Sequence, residues 1–174
     1  MSENTMTRTP HLTRAATAEA LSDAPGSVIT LLADSDTTGG ALTCNTAAFE
    51  EGAAGAPAHF HTRATEFFHV LSGSLDVLVG TEVKVLGEGD FLVVPPGVPH
   101  AFAPTAGHTA EVFVGFTPGM DRFDYYRLLG RVRSGEATLQ DVRDSAEQYD
   151  NHYLVDTAGA AAAAWRDRRR SAAA

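Results

Sequence analysis

The residues able to do metal chemistry gather in one stretch, PAHFHTRATEFFHVLSG, from Pro57 to Gly73. In an extended strand, residues two apart point to the same side, about 6.6 Å apart along the chain. His59 and His61 can therefore aim both imidazoles into one space while Phe60 faces away. The polar residues 62–65 allow a turn, after which Glu66 opens the next strand and can return a carboxylate toward the same rings, and Gly73 ends that strand. A second stretch, GDFLVVPPGVPHAF, turns at Gly89 and Asp90 and again at Pro95, Pro96 and Gly97, and brings His100 to a strand end. An HxH pair alone is commonly two surface or hydrogen-bonded histidines. Three His and one Glu at strand-compatible parity, punctuated by Gly and Pro, instead make a nitrogen- and oxygen-donor set for one borderline divalent ion. His59, His61, Glu66 and His100 are the expected ligands. Fe, Mn, Co, Ni, Cu and Zn all accept this set, so the metal's identity stays open.

Short apolar or alternating runs must position these side chains. From Ser27 to Thr117 the chain reads SVITLL, ALTCNTAAF, EFFHVLSG, SLDVLV, EVKVL, DFLVVP and AEVFVGF, each broken by Gly, Pro or Asp. Such spacings leave no room for crossover helices, which predicts an all-β, mainly antiparallel sandwich, barrel or jelly roll. Residues 1–26 read as an arm with helix potential around Thr13 to Leu21. After the Thr117-Pro118-Gly119 break, Phe123, Tyr126 and Leu129 share a face of a helix expected over Asp121 to Leu129, with Gly130 as its cap. Thr138 and Asp141 form an acidic capping box for a second helix running to Tyr149. Both helices are expected to cover an open end of the sheet rather than to act in catalysis. The tail, 157–174, is a run of alanines around Trp165 with Arg166, Arg168, Arg169 and Arg170, expected to be either a frayed helix or disordered, with its arginines solvated. The expected division is thus an arm (1–26), a single domain (27–156, with the barrel over 27–117 and helices over 118–156), and a tail.

Composition narrows the partners. The chain has 174 residues, room for one ordinary domain, and 22 acidic against 13 basic residues give a formal charge of -9. No surface is built to neutralise phosphates, so nucleic acid is not an expected partner. Neither is a membrane, since no apolar run reaches a spanning length. Cys44 is the only cysteine, which precludes an internal disulfide and a thiolate-based zinc site. The expected location is the cytoplasm.

The two metal-bearing stretches resemble the paired signature motifs of the cupin superfamily. His59, His61, Glu66 and Gly73 follow the first motif, and Gly89, Pro95, Gly97 and His100 follow the second. Ala53 stands where the leading Gly belongs and Pro104 where the final Asn belongs, both at turns or strand ends. The resemblance spans about Thr37 to Gly119 and implies a jelly-roll barrel with its metal inside. EFFHVLSGSL, VPPGVPHAF, TPGMDRFDYYRLLG and Gln148-Tyr149-Asp150 are similar to single-domain bacterial quercetin 2,3-dioxygenase-like cupins.

That similarity implies a metal-dependent dioxygenase acting on a flavonol-like or other enolic or phenolic aromatic molecule, with dioxygen as co-substrate and a homodimeric assembly. Glu66 would be both ligand and general base for the substrate hydroxyl. By strand parity Phe68 and Val70 share the Glu66 face and Phe102 shares that of His100, giving an aromatic and aliphatic pocket lining, although the same parity suits plain barrel core. The alternatives are a metal-dependent cyclase or isomerase of aromatic polyketide-like compounds and a non-catalytic small-molecule-binding cupin. His11, His69, His108, His152 and Cys44 are expected to have no part in the site.

Overall fold

The computed structural model describes residues 9–154 and 159–172; residues 1–8, 155–158 and 173–174, which include parts of the expected arm and tail, lie outside that description. A one-turn helix at Ala15–Thr17 leads into β1 (Ala20–Leu21), β2 (Ser27–Ala33), α1 (Ser35–Thr38), β3 (Thr43–Phe49), β4 (Ala56–Phe60), β5 (Thr65–Val79), β6 (Glu82–Gly87), β7 (Phe91–Val94), β8 (His100–Pro104) and β9 (Ala110–Thr117). Then come α2 (Phe123–Ser134), α3 (Leu139–Asp144), α4 (Ala146–Tyr149), β10 (His152–Tyr153) and α5 (Ala160–Ala172).

All strand pairs are antiparallel and form two sheets that share β5. One runs β1-β2-β3-β9-β5-β7, the other β10-β4-β8-β5-β6. The sequence predicts that Gly73 ends a strand. In the structure the strand instead runs through it, 15 residues long, and passes from one sheet to the other. Gly73 makes the corner: its φ is 78°, and a Cβ there would lie 2.1 Å from the Thr109 carbonyl oxygen. Phe68, Val70, Leu75, Val77, Val112, Val114 and Phe116 fill the space between the sheets and form the main core. The all-β barrel expectation holds.

The flanking elements depart from expectation. In the arm only Ala15–Thr17 of the stretch with helix potential is helical, as a single turn, and Ala20–Leu21 pair with β2 instead. α2 runs past Gly130 and stops at Gly135, whose φ of 82° and N–H bonds to the Arg131 and Val132 carbonyls close the helix. Gly130 is tolerated inside because the helix is held by burial of Tyr125, Tyr126 and Leu128. Its start is capped from a distance, by the buried Asp34 carboxylate, which accepts the Arg122 and Phe123 N–H groups at 3.2 and 3.1 Å and also caps α1. Thr138 and Asp141 form their capping box, but the second helix breaks at Ser145 into α3 and α4.

The largest departure is the tail. α5 packs on the outer face of the second sheet, burying Ala161, Ala162 and Trp165 against Ala58, Leu78, Ala101 and Ala103. Arg168 forms a two-pronged ion pair with Asp76, at 2.7 and 2.8 Å, and Arg169 donates to the Pro104 and Ala53 carbonyls. Asp76 is a buried charge between the buried Leu75, Val77 and Leu78 of β5, and the arginines that looked solvated in sequence satisfy it and nearby carbonyls.

Candidate metal centre

His59 is the penultimate residue of β4, His61 follows the strand's last residue, Phe60, Glu66 lies at the second position of β5, and His100 opens β8. β4 and β8 are paired with His59 opposite His100. Gly97, in the Pro95–Val98 turn, donates its N–H to the His61 carbonyl at 2.7 Å, which ties the two metal-bearing stretches together. All four side chains are buried, and one candidate donor atom from each lies within 4.8 Å of the others. His61 Nε2 and His100 Nε2 sit 2.9 and 2.6 Å from Glu66 Oε2, and His59 Nε2 sits 3.9 Å from it.

The orientation of the rings is set from behind. Nδ1 of His59, His61 and His100 contacts the carbonyls of Pro57, Asp150 and Val98 at 2.8, 2.5 and 2.9 Å. Each neutral imidazole therefore spends its one N–H on a carbonyl and turns the bare Nε2 inward. Three imidazole lone pairs and a carboxylate packed this closely repel one another unless a cation, or shared protons, sits among them. The donor set thus fits a divalent ion. Burial works to raise the Glu66 pKa, yet protons on the facing His100 and His61 nitrogens, which a metal ion would displace, hold it well below the carboxylate range. Burial, with the neighbouring His100 and His61, holds His59 well below the usual imidazole value, so it stays a neutral ligand.

Asp150 organises the loop between these ligands. Its φ of 50° is left-handed, and its buried carboxylate accepts the N–H groups of Thr62, Arg63 and Ala64 and the Thr62 hydroxyl. Burial opposes the charge, but these donors bring its pKa down to about 2.

A cavity opens beside the site. His59 and Glu66 face it, with Ile29, Phe49, Phe102 and Val114 as an apolar wall. Of the residues expected to line a pocket, Phe102 borders this space. Phe68 and Val70 do not: Phe68 packs edge-on against Phe102 and His100, and Val70 lies in the core, because inward strand parity places a side chain inside the barrel without deciding whether it meets a void. Much of the remaining wall comes from the segment that follows the barrel strands, whose helices read in the sequence as cover only. Arg122, Tyr125, Tyr126, Asn151 and Tyr153 all line the cavity. The adjacent aromatics of FDYYRLL were the available signal; which of them look inward depends on how α2 docks. His69 sits on the outer side of β5 beside Phe91, His152 stacks on Phe60, His11 and His108 bond to nearby backbone carbonyls, and Cys44 is buried in β3.

Fold and site together define an antiparallel β-barrel with a three-histidine, one-glutamate centre opening onto a cavity. Residues 45–116, less than half of the chain, match the family model of the cupin domain. Germin-like protein 3-8 of Oryza sativa subsp. japonica is 42% identical over 69 residues, which is 37% of this chain and 31% of that protein, so the match takes in less than a third of that relative's length. Among solved structures, KdgF from Halomonas sp. superposes with a TM-score of 0.57 at 22% identity, covering 66% of this chain and 99% of that one. The polyketide cyclase RemF from Streptomyces resistomycificus does so with 0.53 at 19% identity, covering 62% and 79%. At these identities the likeness concerns the fold.

Proposed function

We propose that the protein is a metal-dependent dioxygenase acting on an enolic or phenolic aromatic small molecule. The observation that carries this reading is the convergence of three inward Nε2 atoms and Glu66 at the wall of a largely aromatic and aliphatic cavity. A divalent ion held there supplies Lewis acidity and open coordination positions for an ionised oxygen. The chain's own residues do the remaining work. Phe49 and Phe102, whose rings meet edge-on at 6.1 Å, give a flat substrate an apolar wall. Among the described residues Glu66 is the only carboxylate grouped with the three rings, and it accepts the proton of the substrate hydroxyl. Burial of the site excludes water that would compete for that proton.

The test is elemental analysis of the purified protein, followed by oxygen uptake and product mass with quercetin and related polyphenols under air and under nitrogen. Oxygen-dependent ring cleavage is the expected result. Product formed without oxygen would replace this reading by a cyclase or isomerase, the activity class named for RemF. A filled metal site with no turnover would leave a small-molecule-binding protein.

We also propose that it works as a cytoplasmic homodimer. The outward face of β5, β7 and β9 supports the assembly, with Phe67 5.9 Å from Phe91 and 6.1 Å from Phe113, and Phe91 60% exposed.

A further inference from the structure

Arg122 is 3% exposed, and none of the ion pairs among the described residues includes it. Its guanidinium lies over the rings of Tyr125, Phe116 and Tyr126, with centroids at 4.3, 4.8 and 5.4 Å. Nη2 donates to Asn151 Oδ1 at 2.9 Å and Nη1 to the Tyr149 carbonyl at 3.4 Å, whereas Nε has no acceptor. A guanidinium cannot shed its charge, so a buried one is costly without an anion. Cation–π contacts and neutral acceptors offset only part of that cost.

Glu66 offsets part of this charge across the cavity, but no carboxylate among the described residues touches the guanidinium, which leaves room for a direct partner. Arg122 lines the same cavity as His59 and Glu66, and among the described residues it is the only Arg or Lys that does. Asn151 lies there too, and because its Oδ1 is engaged by Arg122, its Nδ2 is left as a donor with no acceptor. Ser27 Oγ is a third unpartnered polar atom in the lining, and Asp23 Oδ1 a fourth. The donors suit an anion, and Asp23, only partly buried, suits a hydroxyl on the same molecule. One cation facing two lining carboxylates, Asp23 and Glu66, favours a monoanion with a planar head over a phosphate dianion. Arg122 and Asn151 both lie outside the matched cupin segment, so this end of the cavity is supplied by the chain's own C-terminal extension.

We infer that Arg122 and Asn151 form a carboxylate-binding subsite, so that the substrate of the proposed reaction is an aromatic acid carrying both an ionisable hydroxyl and a carboxylate. The inference rests on the reading of the metal centre as catalytic, but its test needs no turnover. Titration of the purified protein with 2-naphthoate and with its neutral isostere 2-naphthamide should show the acid bound about 10- to 100-fold tighter, the usual worth of a charge-assisted hydrogen bond. Arg122→Met should abolish that preference, and His100→Ala, which removes a metal ligand, should retain it. A preference that survives Arg122→Met and disappears in His100→Ala would put the anion on the metal and overturn the subsite. Equal binding of the two probes would overturn it as well. If Arg122→Met does not fold, the Nε–H resonance of Arg122 in the 15N spectrum of the wild-type protein decides the matter: it should move with naphthoate and not with naphthamide, and no movement with either would refute the subsite. Oxygen uptake enters none of these measurements, so the subsite and the dioxygenase reading fail independently.

Discussion

Glu66 Oε2 lies closest to two of the three histidine Nε2 atoms, and the same carboxylate faces the cavity. In the proposed reaction ligand and proton acceptor are one group, and Glu66→Gln separates the two roles: the amide keeps the shape but cannot take a proton. Turnover should fall by about 10²- to 10⁴-fold, with a smaller loss in substrate binding, measured as kcat and KM on the metal-loaded variant. Asp150 carries a different load. Its pKa falls from an ordinary 3.8 to about 2 on folding, so it contributes stability above the ordinary value that is lost as pH drops through the folded one. That depression is worth about 2 kcal/mol. Asp150→Asn tolerates the left-handed backbone but accepts fewer of the three N–H bonds. Urea unfolding should find it about 2 kcal/mol less stable than wild type near pH 7, with the gap narrowing between pH ~4 and ~2.

At the scale of elements, the barrel alone does not enclose the cavity. α2 contributes Tyr125, Tyr126 and Leu128 to the main core, and neither it nor α3 can bury an apolar face by itself. Truncation after Gly119 should yield protein that aggregates or lacks a cooperative thermal transition. α5 makes a more local contribution. Arg168→Ala leaves the fully buried Asp76 with only the Thr105 hydroxyl as a side-chain partner and should destabilise by about 2–3 kcal/mol, less than a fully enclosed pair because Arg168 is partly exposed. Denaturant unfolding of Arg168→Ala and of Asp76→Asn, Arg168→Ala together measures this, and the double variant should recover part of the loss.

For the whole molecule, the exposed aromatic face of β5, β7 and β9 sets the expected assembly. A two-fold dimer would bury the same patch on both copies. Phe91→Asp should convert a dimer into a monomer in sedimentation equilibrium while leaving metal content unchanged, because the site lies on the inner side of the same sheet.

Residue spacing alone marked the four side chains that the structure brings together. The period of a strand is two, so His59 and His61 share a side whatever surrounds them, and Gly and Pro mark the turns that return Glu66 and His100. The capping box of Thr138 and Asp141 was legible for the same reason, being local. Whatever depends on distant packing was not. That Gly73 bends a strand instead of ending it follows from the Thr109 backbone pressed against it. That α5 docks follows from Asp76, 92 residues away in sequence from the Arg168 that neutralises it. The buried guanidinium of Arg122 and its unpartnered Nε are likewise decided only by the tertiary structure, since a lone arginine before an aromatic helix has no period or spacing to mark it, and only the docking of that helix onto the open end of the barrel takes its charge out of water and turns it toward the metal site.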